Sequence, residues 1–201
     1  FTSETSLSSV SLGLRIVQAL LRTRATVIFR PHPSSYNFVR DRVHIAAIHE
    51  LLAADAQRTG RAHLFGPAAD TELDSIGCMN RSDAMISDVS GVASDFLFSG
   101  KPLAMVAVGT EVDDFVRRFP ISRGSYVVEK DLANLDGLLA EMLGDDPMRE
   151  RRAEIRADYL GDFPNEGYAS GFVGAARRAG TTDKRGIERP ATPAAVAAAA
   201  A

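Results

Sequence analysis

The stretch Pro102–Val108 is almost wholly apolar and follows Gly100, which ends a helical pattern. A strand with one wet face alternates apolar and polar residues. A short run apolar on both faces belongs to a strand covered on both sides, which is the signature of a parallel sheet between helix layers. The flanking segments agree. Thr26–Phe29, Ala62–Phe65, Ala84–Asp88 and Ser125–Glu129 read as further strands. Helical patterns fall over 7–21, 38–58, 71–80, 91–98, 111–118, 132–143 and 148–160. Ser6 or Thr5 would cap the first of these, and Asp70 or Thr71 the third. Gly60 closes the second as a C-terminal signal. Strand and helix alternate, which predicts an α/β fold with a doubly wound parallel sheet.

Composition narrows the function classes. A chain of 201 residues with 45% hydrophobic and 24% charged residues holds one domain with a sizeable core. Cys78 is the only cysteine, which excludes a disulfide framework and a multi-cysteine zinc site, and its apolar helical context reads as core. A net charge of −3 gives no global attraction to nucleic acid, so none is expected as a partner. No run approaches the length of a membrane span. The start at Phe1, without a leader pattern, reads as a piece cut from a longer protein. Residues 1–180 are expected to form the domain. Residues 181–201, rich in alanine and proline and lacking core periodicity, are expected to form a flexible tail.

In open α/β sheets, ligands bind beyond the carboxyl ends of the strands. After the first strand comes Arg30-Pro31-His32-Pro33. The prolines stiffen the exit and fix the direction of His32, and a guanidinium beside an imidazole suits a phosphate or diphosphate. The same turn also reads as a loop in which His32 only caps a carbonyl. After Ala84–Asp88 the chain passes through Val89-Ser90-Gly91 into a helix. Small residues there leave backbone N–H groups uncovered at a helix N-terminus, where an anion is favoured. The plain alternative is that Asp88 and Ser90 cap the helix. Asp95, one turn inside, is either a site carboxylate or a solvated one. His44, His49 and His63 read as surface or packing residues, and no metal-ligand spacing, Walker loop or GxGxxG occurs.

Four segments, in order, resemble the CDP-glycerol glycerophosphotransferases, the teichoic-acid and polyol-phosphate polymerases and primases. They are Arg30-Pro31-His32-Pro33, Asp70-Thr71-Glu72-Leu73, the run from Ser82 through Asp83, Ile86, Ser87, Asp88, Ser90 and Asp95 to Phe96, and Gly100-Lys101-Pro102. Val89 stands where that family has an aromatic residue, and Gly91 where it has a second serine. The resemblance implies a GT-B architecture of two Rossmann-like halves, with this chain as the C-terminal, nucleotide-binding half. It implies a transferase that moves glycerol phosphate from CDP-glycerol to an acceptor hydroxyl and releases CMP, with no resident cofactor and no metal. It places catalysis at His32 and Arg30, and donor binding at Pro33, Gly66, Ser87, Asp88, Ser90, Gly91, Val92 and Asp95. The acceptor, a polyol phosphate or lipid-linked chain, would sit on the other half, so this piece alone would be inactive. The whole enzyme would be cytoplasmic and peripheral on the inner membrane face. Nucleotide-sugar glycosyltransferases and UDP-sugar 2-epimerases have similar His-Pro and Asp-Ser-Gly turns, and Gly91 leans their way while Asp95-Phe96 leans back. A non-catalytic nucleotide-binding domain is the third alternative.

Overall fold

The computed structural model describes residues 7–161 and 167–181. The chain divides into two units, Phe1–Leu160 and Gly161–Ala201. In the first, a 3-10 turn over Val10–Leu12 leads into α1 (Gly13–Arg22). The caps expected at Thr5 or Ser6 lie outside the described residues. A 3-10 turn over Pro33–Asn37 precedes α2 (Val39–Thr59). Gly60 ends α2 at φ +75, a left-handed conformation that glycine adopts without steric penalty. The short α3 (Pro67–Asp70) and α4 (Ser75–Arg81) follow. The helix expected from Thr71 begins four residues later because Asp74, not Asp70 or Thr71, accepts the Gly77 amide at 2.6 Å and caps it.

The sheet proper has three parallel strands in the order β1 (Met85–Ser87), β2 (Leu103–Val106), β3 (Tyr126–Val128). Met85 pairs with Leu103, and Ala104 with Tyr126. Helix α5 (Gly91–Leu97) connects β1 to β2. Helix α6 (Val112–Arg118) and a 3-10 turn (Pro120–Gly124) connect β2 to β3. Parallel neighbours need such crossovers. After β3 come α7 (Leu135–Leu143) and α8 (Arg149–Leu160).

All four residues of β2 are buried, as its apolar run predicts. The pleat then sorts them. Leu103, Met105 and Ala107 join Phe96 and Leu97 of α5, Phe115 of α6 and Ile155 of α8 in one core. Ala104 and Val106 join Tyr126, Val128, Ile16 and Ala19 of α1, and Leu135, Leu139 and Met142 of α7 in another. Helices therefore cover both faces of a parallel sheet, and the α/β class is met. A third core gathers Val17, Val27, Phe29, Ile45, Ile48 and Leu52. The strands expected over 26–29 and 62–65 shrink to one parallel bridge, Ile28 to Leu64, with Phe29 N donating to Leu64 O at 2.8 Å and Leu64 N to Val27 O at 3.0 Å. Leu20 on α1 packs against both this core and the β2–β3 core, so one helix spans the two parts of the layer.

The second unit is described through α9 (Tyr168–Thr181), and the tail expected from 181 lies, beyond Thr181, outside the described residues. No described helix is long and apolar enough to cross a membrane.

Candidate functional site

The carboxyl ends of the strands carry three loops of interest: 30–38 after Ile28, 66–74 after Leu64, and 88–91 after β1. In the first, His32 is held by its own turn. It is the N-cap of the 3-10 turn, and its Nδ1 accepts the Ser34 amide at 3.1 Å and lies 2.6 Å from Ser34 Oγ. Pro33 at the first position of that turn is exposed and preset for it. With Nδ1 used as an acceptor, the ring proton belongs on Nε2, an assignment made from the hydrogen bonds. Nε2 has no partner among the described residues, so His32 presents a fixed, outward N–H donor.

Arg30 does something different. Its Nη1 donates to the Leu73 carbonyl at 2.7 Å and also to the Ala69 carbonyl. The guanidinium thus ties the first loop to the second and brings its charge there through carbonyl contacts. Tyr36 adds a second tie, donating to Asp70 Oδ2 at 2.5 Å. Burial, and then that hydrogen bond, raise the Tyr36 pKa above the usual phenol range. Gly66 opens the second loop at φ +58 and ψ −140, a combination closed to other residues, and is buried. A Cβ there would sit 3.6 Å from His49 Cε1.

At the third loop, Asp88 is fully buried, and its Oδ1 accepts the Ser9 amide at 3.1 Å, 79 residues away in sequence. Its carboxylate anchors the N-terminal segment to the end of β1. Ser87 is buried, and its Oγ stands 3.4 Å from Ser90 Oγ. Ser90 precedes α5 but its side chain makes no capping bond, so the first amides of the helix are uncapped by it. Gly91 and Val92 are exposed, and a Cβ on Gly91 would meet no atom within 4 Å. Asp95 is exposed, one turn inside α5.

His49 and His63, both expected to be surface or packing residues, differ in their surroundings. His63 Nδ1 accepts the Val27 amide at 3.0 Å, and its Nε2 lies 3.0 Å from Asp55 Oδ2. His49 packs between Phe29 and Phe65, at ring separations of 5.8 and 5.3 Å. Burial lowers its pKa from the ordinary histidine value, against the pull of the Asp70 charge. Cys78 is buried, as its context predicts. No group of three His, Cys, Asp or Glu side chains among the described residues could hold a metal ion.

An open groove lies between α1 and α2, lined by Gln18, Leu21, Arg22, Leu51, Ala54 and Arg58. It lies by the last turns of those helices, where the chain is about to enter the strands, which is the opposite end of the sheet from the three loops. In this fold class the carboxyl end is the one that binds ligands. No protein-family model, no curated protein and no solved structure matches the chain.

Proposed function

We propose that this chain is the donor-binding, Rossmann-like half of a GT-B glycerophosphotransferase, which moves glycerol phosphate from a CDP-glycerol-like donor to an acceptor hydroxyl. The observation that carries the reading is the fixed His32, whose Nδ1 is engaged by Ser34 and whose Nε2–H has no intramolecular partner among the described residues. A preset N–H donor at a strand's carboxyl end suits a diphosphate oxygen. The ordered run of Arg30-Pro31-His32-Pro33 and Ser82–Phe96 supports the same family.

In the reaction, the acceptor hydroxyl oxygen attacks the glycerol-bearing phosphorus, the diphosphate P–O bond breaks, and CMP leaves with the bonding pair, its phosphate taking up the hydroxyl proton directly or through water. Phosphoryl transfer is governed by positioning and charge stabilisation. His32 donates to the donor phosphates. A role as general base would require its proton on Nδ1, facing the Ser34 amide N–H, so the hydrogen bonds favour the orienting donor over the base. Ser90 and the first amides of α5 would take a second phosphate oxygen. Asp95, being a carboxylate, suits a donor hydroxyl rather than a phosphate. Ser87 and Asp88 hold the turn from below.

Calorimetric titration of the chain with CDP-glycerol, CDP-ribitol, CDP and a UDP-sugar tests this. Cytidine-selective binding, weakened about tenfold or more by His32→Ala, is expected, a hydrogen bond to a charged group being lost. Uridine preference would move the chain to the nucleotide-sugar enzymes, and the absence of nucleotide binding would overturn the reading.

A further inference from the structure

A helix on a protein surface turns its polar residues to solvent and its apolar ones to the core. The start of α2 does the reverse. Val39 and Val43 are 68% and 64% exposed, and Phe38, which precedes the helix, is 45% exposed. Asp41, the only acidic residue from Phe38 to His49, is buried at 2%. Phe38 is itself an exception, since the N-cap position favours a small polar side chain and Phe38 makes no capping bond. Three of the ten exposed large apolar side chains among the described residues thus fall within six positions. At about 100° per residue, Val39 and Val43 lie about 40° apart on the helix surface, Arg40 and Arg42 flank them about 80° to either side, and Asp41 lies opposite. The Arg40 side chain is 69% exposed and reaches Asp41 only at 3.5 Å. Arg42 is exposed as well, its Nη1 donating to the Tyr36 carbonyl at 3.0 Å. Glu50 returns to the same face about 10 Å further along the axis and ends the strip.

We infer that the N-terminal tip of α2, from Phe38 to Val43, docks on an anionic lipid surface, with Phe38, Val39 and Val43 entering the interface and Arg40 and Arg42 lying at the phosphates. Apolar side chains set between cations fit a surface that is negative outside and apolar beneath, which is the layering of an anionic bilayer. A second copy of the chain fits poorly, because a two-fold contact would set the arginines of one patch against those of the other. An acidic protein partner would need a larger patch. Stable interfaces bury about 800 Å² per partner, and three side chains at one helix end supply far less. A fluid lipid interface needs no shape complement. The chain as a whole carries −3, so the attraction is local and acts within a Debye length of about 8 Å. The 3-10 turn Pro33–Asn37 joins the patch to His32, so docking sets that turn near the head groups. The inference uses none of the donor-site atoms and stands apart from that reading.

The chain has no tryptophan, so Phe38→Trp places a single fluorophore at the patch. With vesicles of phosphatidylcholine and phosphatidylglycerol, its emission should shift to the blue and be quenched by brominated acyl chains. With phosphatidylcholine alone neither change is expected. Co-sedimentation with the same vesicles measures the partition coefficient of the unsubstituted chain and its variants. Arg40→Gln and Arg42→Gln should each lower it about fivefold. Phe38→Ser combined with Val43→Gln should lower it about tenfold or more. Serine is a preferred N-cap, so the thermal midpoint of that double variant should hold, which separates lost docking from lost folding. Phe172→Ser, on the exposed side of α9, and Leu143→Gln, at the end of α7, remove exposed apolar side chains elsewhere and should leave partition unchanged. The inference is overturned if anionic vesicles do not bind the chain, if neutral ones bind it equally, or if either remote variant matches the loss at 38–43. Binding without a blue shift and without bromine quenching also overturns it, the contact then being electrostatic alone.

Discussion

At His63, Nδ1 accepts the Val27 amide, so the ring proton belongs on Nε2 and points to Asp55 Oδ2. The other oxygen of Asp55 accepts from Arg58 at 2.5 Å and Arg61 at 2.8 Å. The His63 hydrogen bond, helped by Thr59 and Arg61, holds the Asp55 pKa down at about 2 from an ordinary 3.8, against its burial. A folded pKa below the unfolded one means that the unfolded chain binds the extra proton. The stabilisation is therefore complete above about pH 5 and is lost as pH falls through 3.8 towards 2. Thermal midpoints of the wild type and Asp55→Asn, measured from pH 7 to pH 2, are expected to differ by a constant amount above pH 5 and to converge towards pH 2. A gap independent of pH would refute the assignment. The contrast with His32 is instructive. Both rings spend Nδ1 on a backbone amide, but only at His63 is Nε2 taken by the protein.

Helix α8 is fixed to the sheet by Arg152, which is fully buried. Its Nε donates to Gly100 O at 3.0 Å and its Nη2 pairs with Asp146, whose other oxygen accepts from Tyr126 at 3.0 Å. Burial, and then the Asp146 bond, push the Tyr126 pKa up to about 12. Arg152→Ala would strand the Asp146 charge and is expected to cost about 3–5 kcal/mol by urea unfolding. Arg152→Lys should recover little, since one ammonium cannot serve both directions. The 3-10 turn under the same helix is equally tight. A Cβ on Gly124 would lie 2.9 Å from Ile155 Cβ, so Gly124→Ala should destabilise by about 1–3 kcal/mol, whereas Gly91→Ala, facing open space, should leave the unfolding midpoint unchanged. Equal midpoints for the two alanine variants would contradict this packing. At this scale the sequence was readable where periodicity and burial agree. The β2 run and Gly60 declare themselves, because an apolar run bounded by turn residues and a helix-ending glycine are local signals. The strands expected over 26–29 and 62–65 are cut to one bridge, since local β-propensity does not say how many residues find a partner. Asp88 reads as a cap or a ligand group because its partner, the Ser9 amide, is brought by tertiary folding from 79 residues away.

Across the whole first unit, the loops of interest come from three separate strand ends, and the strands belong to two parts of the layer joined through α1. The 30–38 and 66–74 loops are already stapled by Arg30 and Tyr36. The loop after β1 is stapled elsewhere, through Asp88 to the segment before α1. A diphosphate held by both His32 and the start of α5 would add the missing tie between these two sets. Ligand that binds only the folded state raises stability by mass action, by about 2.7 kcal/mol at a hundredfold excess over the dissociation constant. The donor site therefore predicts a thermal midpoint that climbs with the logarithm of CDP-glycerol concentration above that constant. His32→Ala and a Ser90→Ala, Gly91→Val double variant each remove one end of the tie. The double variant should keep the ligand-free midpoint, because the hydroxyl of Ser90 serves no strong contact in the fold, whereas His32→Ala should lower it slightly through loss of the Nδ1 cap on the Ser34 amide; each should abolish most of the rise. A ligand-induced rise that survives both variants would place the nucleotide elsewhere, with the groove between α1 and α2 the first position to map by chemical-shift perturbation.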